Sequence, residues 1–180
     1  EKSFPEDWQK RLPQATLDAI NREANAFKVP PELLARIMWK ESKFEEQAGV
    51  KEKYPGQGIA GITDIAMRQL IQNRLEAAKR DPNNGPKWGG LEMAVRHWLG
   101  NMRLQVEPAI SMEAEYLRHL YDTTGHSWPA AVASYKHGPT IINSFLKGER
   151  TAASIHKWGE VQAYLGKVFD GDATRFNAYK

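Results

Sequence analysis

The chain has 180 residues, 41% of them hydrophobic, a formal net charge of +3 and no cysteine. That is ample material for one full core without disulfides, and it excludes both intrinsic disorder and thiol catalysis. No apolar run approaches the roughly 18 residues of a membrane helix, and basic residues alternate with acidic ones rather than forming a block, so neither a membrane span nor nucleic-acid binding is expected.

The pattern is helical along nearly the whole chain. Leu17, Ile20, Ala24 and Phe27 recur at three- and four-residue steps and predict an amphipathic helix. Val29-Pro30-Pro31 breaks it, and Pro31, with its fixed φ and missing N–H, suits the first turn of a second helix running to Ser42. Four glycines and one proline between Gly49 and Gly61 read as a loop, with room for a small β-hairpin near residues 50–60. Thr63 or Asp64 caps a third helix that carries Ile65, Leu70, Ile71, Leu75 and Ala78. After the breaker Asp81-Pro82-Asn83-Asn84-Gly85-Pro86, helices are expected over Leu91 to Leu104 and Ile110 to Tyr121. Another begins at Ser127, holds Pro129 in its first turn and ends with His137 before Gly138-Pro139; shorter helical pieces fill the remainder. With no repeat and no linker, residues 1–180 are expected to form a single mainly α domain, and the start at Glu1 without Met suits a processed chain or a domain of a larger protein.

One helix carries chemistry on its apolar face. Leu34, Ile37, Met38 and Glu41 share one side of the second helix, so Glu41 points toward the core and not toward solvent. A carboxyl held against Met38 and Phe44 loses hydration, which favours the protonated form that a general acid needs. The bland alternative is a glutamate that pairs with Arg36 or Lys40 or reaches solvent at the helix end, and spacing alone leaves it open.

Four strings then fall in order. Ala35-Arg36-Ile37-Met38-Trp39-Lys40-Glu41-Ser42-Lys43-Phe44 resembles the Glu-Ser-x-Phe helix end of soluble lytic transglycosylase-type, goose-type lysozyme-like domains. Gly58-Ile59-Ala60-Gly61-Ile62-Thr63-Asp64-Ile65 is similar to the Gly-Leu-Met-Gln loop of that family, and Ala133-Ser134-Tyr135-Lys136-His137-Gly138-Pro139 to its Ala-Ala-Tyr-Asn-Ala-Gly-Pro segment. Between them, Ile110 through Tyr116-Leu117 resembles the family's helix ending in Tyr-Leu. Thr63 and Asp64 replace the family's Met and Gln, Lys136 replaces its Asn, Ala109 stands where an Asn opens the Tyr-Leu helix, and the stretch from Ala66 to Ile110 is long. The resemblance implies a lysozyme-like fold and cleavage of peptidoglycan between N-acetylmuramic acid and N-acetylglucosamine. Glu41 would first be the acid and then the base that withdraws the muramyl 6-hydroxyl proton, leaving a 1,6-anhydro sugar. It further implies that Ser42 orients Glu41 or touches substrate, that Tyr135 bonds near the reacting centre, and that the Gly58 to Ile62 backbone, Gly61 and Ile62 included, lets the glycan approach.

Other candidates are weaker. Asp64 is the best second carboxylate available to a water-using muramidase, although its place beside Thr63 fits a helix cap better. Trp88, in the segment from Asn83 to Gly90, is a candidate flap that covers a bound sugar, and His137 a candidate cleft residue. The five histidines show no metal-ligand spacing, so neither metal nor cofactor is expected. The mildly basic charge suits an anionic wall polymer or plain surface solubility. Domains of this kind work in the periplasm or cell wall, or are carried by a virion or a secretion apparatus, and a catalytically silent wall-binding member of such an assembly is the rival reading.

Overall fold

A computed structural model describes residues 3–80, 102–172, 174 and 176. Among them are eight helices: α1 (Trp8–Arg11), α2 (Gln14–Phe27), α3 (Pro31–Ser42), α4 (Asp64–Arg80), α5 (Val106–Thr123), α6 (Trp128–His137), α7 (Pro139–Leu146) and α8 (Ala152–Phe169). The expected mainly helical class holds, and the end of α2 and the starts of α3 and α6 are those that the proline and cap signals predicted.

The local causes are legible at each end. Lys28 turns left-handed (φ 56°) and closes α2, and Pro30 and Pro31 launch α3 at once. Lys43 and Phe44, at φ 54° and 66°, turn the chain sharply out of α3. Thr63 is the cap of α4, its Oγ1 accepting from the Ala66 N–H at 3.1 Å, which leaves Asp64 as the first helical residue. Ser127 caps α6 by accepting from the Ala130 N–H, and Thr151 with Ser154 forms a reciprocal capping box on α8.

Helix α5 is central, packing against α2, α4 and α6. It buries Ile110, Met112, Leu117 and Leu120, while α3 buries Leu33, Leu34, Ile37 and Met38 against the same core. Each such side chain contributes about 1.5–3 kcal/mol of apolar transfer. A smaller cluster of Ala130, Ala133, Ile142, Phe145 and Val161 seals α6, α7 and α8 together.

The small hairpin does not form. Among the described residues there is no strand, and residues 57 and 62 make a single antiparallel bridge, each N–H donating to the other's carbonyl at 3.1 and 3.0 Å. Positive φ at Gly49, Lys53, Gly58 and Gly61 coils the segment and prevents a ladder from extending.

Candidate active site

Helix α3 delivers Glu41 to a cleft of about 480 Å³. The loop supplies Tyr54, Pro55, Gly56 and Gly61 to its wall, α6 supplies Tyr135 and Lys136, and Lys40 and Thr63 complete the lining. Met38 and Ile37 are fully buried on the same face, and Glu41 itself is half-buried at the boundary.

The backbone of Gly61 lies directly on the acid. Its φ is +61°, and a Cβ there would stand 2.9 Å from Glu41 Oε2 and 3.0 Å from both Cβ and Cγ of Glu41. Glycine alone fits such an approach without displacing the carboxyl. The stretch from Ile59 to Ile62 is pinned from behind. Ser42 Oγ stands 2.6 Å from the Ile59 carbonyl and 2.9 Å from that of Met38, and the Tyr135 hydroxyl donates to the Ala60 carbonyl at 2.7 Å. Arg103 adds a third tie, donating to the Ile62 carbonyl at 2.7 Å and to Gln57 Oε1 at 3.1 Å.

The second contact to the acid comes from the far end of the chain. The Tyr164 hydroxyl on α8 donates to Glu41 Oε1 at 2.9 Å. Burial, then the Glu41 charge and the hydrogen bond itself, push this phenol well above its usual range, so it stays an O–H donor. Lys40 Nζ sits 5.9 Å from the Tyr164 ring, and His137 meets the ring edge-on at 5.8 Å. A buried Arg36 fastens α3 to the end of α8, donating to the Val168 carbonyl at 3.0 Å and to Asp170 Oδ2 at 2.8 Å. Arg36 is therefore engaged with Asp170 and does not neutralise Glu41.

A further carboxyl, Glu113 on α5, is completely enclosed, and neither of its oxygens has a hydrogen-bond partner among the described residues. Burial first and the Glu41 charge second push it well above the ordinary carboxylate range. The buried Tyr135 hydroxyl is raised in the same way, by burial and then by Glu113 and Glu41. A half-buried carboxyl with one oxygen held by a neutral phenol and the other against a bare backbone in an open cleft is equipped to give and recover a proton.

The Transglycosylase SLT domain model matches residues 18–157. The chain belongs to that family. Neither a curated protein nor a solved structure matches it. Membership in the SLT family gives the lysozyme-like fold and, at family level, peptidoglycan lytic transglycosylase-type function.

The residues expected at the site divide on inspection of this SLT domain. Glu41, Gly61 and Tyr135 meet in one cleft. Ser42 and the Tyr135 hydroxyl both bond to carbonyls, so each shapes the loop over Glu41 and leaves the acid to Tyr164. The Ile62 side chain is fully buried and its N–H and carbonyl are both engaged, so it braces the loop and offers the glycan no surface. Asp64 is exposed at the start of α4, where its Oδ1 lies 3.4 Å from Arg103 Nη1, and it is not part of the cleft lining. Phe44 packs its ring on Trp39 at 5.2 Å, so the wall beside Glu41 is Gly61 and Tyr164. The imidazole of His137 is lowered by burial, then by Lys157, with Glu160 opposing. Trp88 and the whole Asn83 to Gly90 flap lie outside the described residues.

Tyr164, Glu113 and Tyr54 were not foreseen. Val161, Tyr164 and Val168 do form an apolar stripe on α8, which placed Tyr164 inward without distinguishing it from a core tyrosine.

Proposed function

We propose that this chain cleaves the glycan strand of peptidoglycan non-hydrolytically, with Glu41 as the single acid-base residue. Glu41 protonates the oxygen linking N-acetylmuramic acid to N-acetylglucosamine, the substrate's N-acetyl group stabilises the positive centre, and the Glu41 carboxylate then takes the muramyl 6-hydroxyl proton. The 6-oxygen closes onto the anomeric carbon, giving a 1,6-anhydromuramyl end. The observation that carries this reading is the lining of the cleft that holds Gly61 and Tyr135, in which Glu41 is the one carboxyl among the described residues; Glu45 and Glu52 line an adjoining hollow on the other side of Glu41. A water-using inverting enzyme needs a second carboxylate at roughly 6.5–9.5 Å across the sugar, and Asp64 is turned to Arg103 instead. When the nucleophile is part of the substrate, one carboxyl suffices.

Tyr54 on the loop wall is 60% exposed and offers its ring face to a sugar, the part first assigned to Trp88. Gly61 and Gly56 let the strand approach the acid, and Tyr164 keeps Glu41 aimed. Among the described residues no helix is long and apolar enough to cross a membrane, which accords with work on the wall side, whether free or carried by a virion or a secretion apparatus.

Mass spectrometry of the products from purified cell walls tests the reading. Fragments lighter by one water than those of a lysozyme, and none from Glu41→Gln protein of unchanged fold, are expected. Reducing-end muramic acid would establish a hydrolase, and intact walls with the unaltered protein would leave a binding domain.

A further inference from the structure

Glu41 borders two hollows, and the chemistry above fills only one of them. The cleft walled by Gly61 and Tyr135 takes the sugar strand. Beside it lies a second hollow of about 350 Å³, joined to the first through Lys40, Glu41, Tyr54 and Gly56, which line both. Its outer wall is the segment that follows α3. Lys43 and Phe44 turn the chain out of the helix at positive φ, and the Tyr54 and Gly58 N–H groups, donating to the Gly49 and Ala48 carbonyls at 2.9 Å, curl it back beside the acid. Gly49 lies so close to Gly56 that a Cβ on it would stand 2.6 Å from the Gly56 oxygen, so the wall is tightly folded. Its charges are of both signs. Glu45, Lys51 and Glu52 line the hollow, exposed and without an ion pair among the described residues. Lys43 is engaged, its Nζ donating to the Trp39 carbonyl at 3.3 Å and lying over the Trp39 ring. A neutral sugar gains little from ions, whereas a ligand with charges of both signs is complementary to such a wall.

We propose that this hollow is the subsite for the short peptide carried by the muramyl sugar, a zwitterionic arm with carboxylates and an ammonium group. Lys51 meets a carboxylate of the arm, and Glu45 and Glu52 meet the ammonium of its diamino residue. This rests on Glu41 being the residue that meets the scissile bond. That bond is at the anomeric carbon of the muramyl ring, and the arm leaves the same ring two carbons away, through its lactyl ether. With the anomeric carbon at Glu41, the arm leaves through a space that borders Glu41, and the sugar strand occupies the other one. Because its ions are exposed, each contact with the arm is weak. The subsite therefore selects among strands by affinity and takes no part in the proton transfers.

Binding is measured on the full chain carrying Glu41→Gln, which should hold its ligand without cleaving it. Two soluble glycan strands are compared, one with uncross-linked peptide arms and the same strand after its arms are removed at the lactyl amide. Isothermal titration should give the tighter Kd for the peptide-bearing strand, and the preference should weaken with added salt because exposed charges carry it. Adding Glu45→Gln, Lys51→Gln and Glu52→Gln together should cut that preference about 3- to 30-fold, and Lys51→Gln alone about 2- to 5-fold. Equal affinity for the two strands, a preference that survives the triple change, or an equal loss on both strands, which would make the hollow a sugar subsite, would each overturn the proposal. The underlying reading fails separately, because cleavage of walls by Glu41→Gln protein refutes Glu41 as the acid whatever the two Kd values are.

Discussion

Replacing Gly61 by Ala asks whether the loop backbone positions the acid. At φ +61° an L-residue carries about 1–2 kcal/mol of strain. The new Cβ would stand 2.9 Å from Glu41 Oε2 and 3.0 Å from Glu41 Cβ and Cγ. Carbon atoms rest at about 3.5–4.0 Å, so the loop and the carboxyl must part by roughly 0.5–1 Å. Forcing a packed region apart costs about 1–3 kcal/mol, giving a total loss of about 2–5 kcal/mol. A shift of that size at a reacting group lowers the rate by about 100-fold. Gly148→Ala is the control, since Gly148 has φ +82° and open space around it, so it carries the backbone strain without touching Glu41. Thermal melts of both variants and turbidity clearing of cell walls, taken below the lower Tm, separate the two effects. Both should lose stability, Gly61→Ala the more, and Gly61→Ala alone should lose activity. Equal specific activities in the two folded variants would refute the reasoning.

Tyr164→Phe keeps the ring under His137 but deletes the donor to Glu41 Oε1, so kcat for wall cleavage should drop about 10- to 100-fold at similar melting temperature; an unchanged rate would mean that the phenol does not aim the acid. Asp64→Asn loses one exposed ion pair with Arg103, worth about 0–1 kcal/mol, and should retain substantial activity in the same assay, whereas a dead variant would place Asp64 in the chemistry. Because the folded Glu113 carboxyl is raised above its ordinary value of 4.5 by burial and by Glu41, the native state holds its proton where the unfolded chain has released it. Its stability contribution is thus full below pH 4.5 and is lost as pH rises toward the folded value. Denaturant titrations across that range should show the decline, and Glu113→Met should flatten it; parallel curves for the two proteins would count against a raised Glu113.

What the sequence disclosed was what chain-local chemistry decides. Pro31, Thr63 and Ser127 each announce a helix start through a missing N–H or a short side-chain acceptor, and the structure uses all three. The inward face of Glu41 followed from three- and four-residue steps. The same arithmetic puts Glu113 on the buried face of α5, three residues after Ile110 and four before Leu117. Tyr164 and the Arg36–Asp170 clamp were beyond reach, because they join residues far apart in sequence and no local signal encodes such a pairing. Asp64 failed as a cleft residue for a steric reason: once Thr63 caps α4, the next side chain leaves at the solvent side toward Arg103. The hairpin failed because glycines that permit a turn also permit a coil.

The Arg36 clamp also bears on where a working unit of this family ends. The matched region stops at residue 157, inside α8, yet the hydroxyl that holds Glu41 is at Tyr164 and the carboxylate that locks α8 to α3 is at Asp170. A fragment trimmed to the matched borders would keep every motif and still lose one of the two contacts that frame its acid. For anyone grafting this domain into a chimaera, the safe cut lies beyond Asp170, after the left-handed residue that ends the helix.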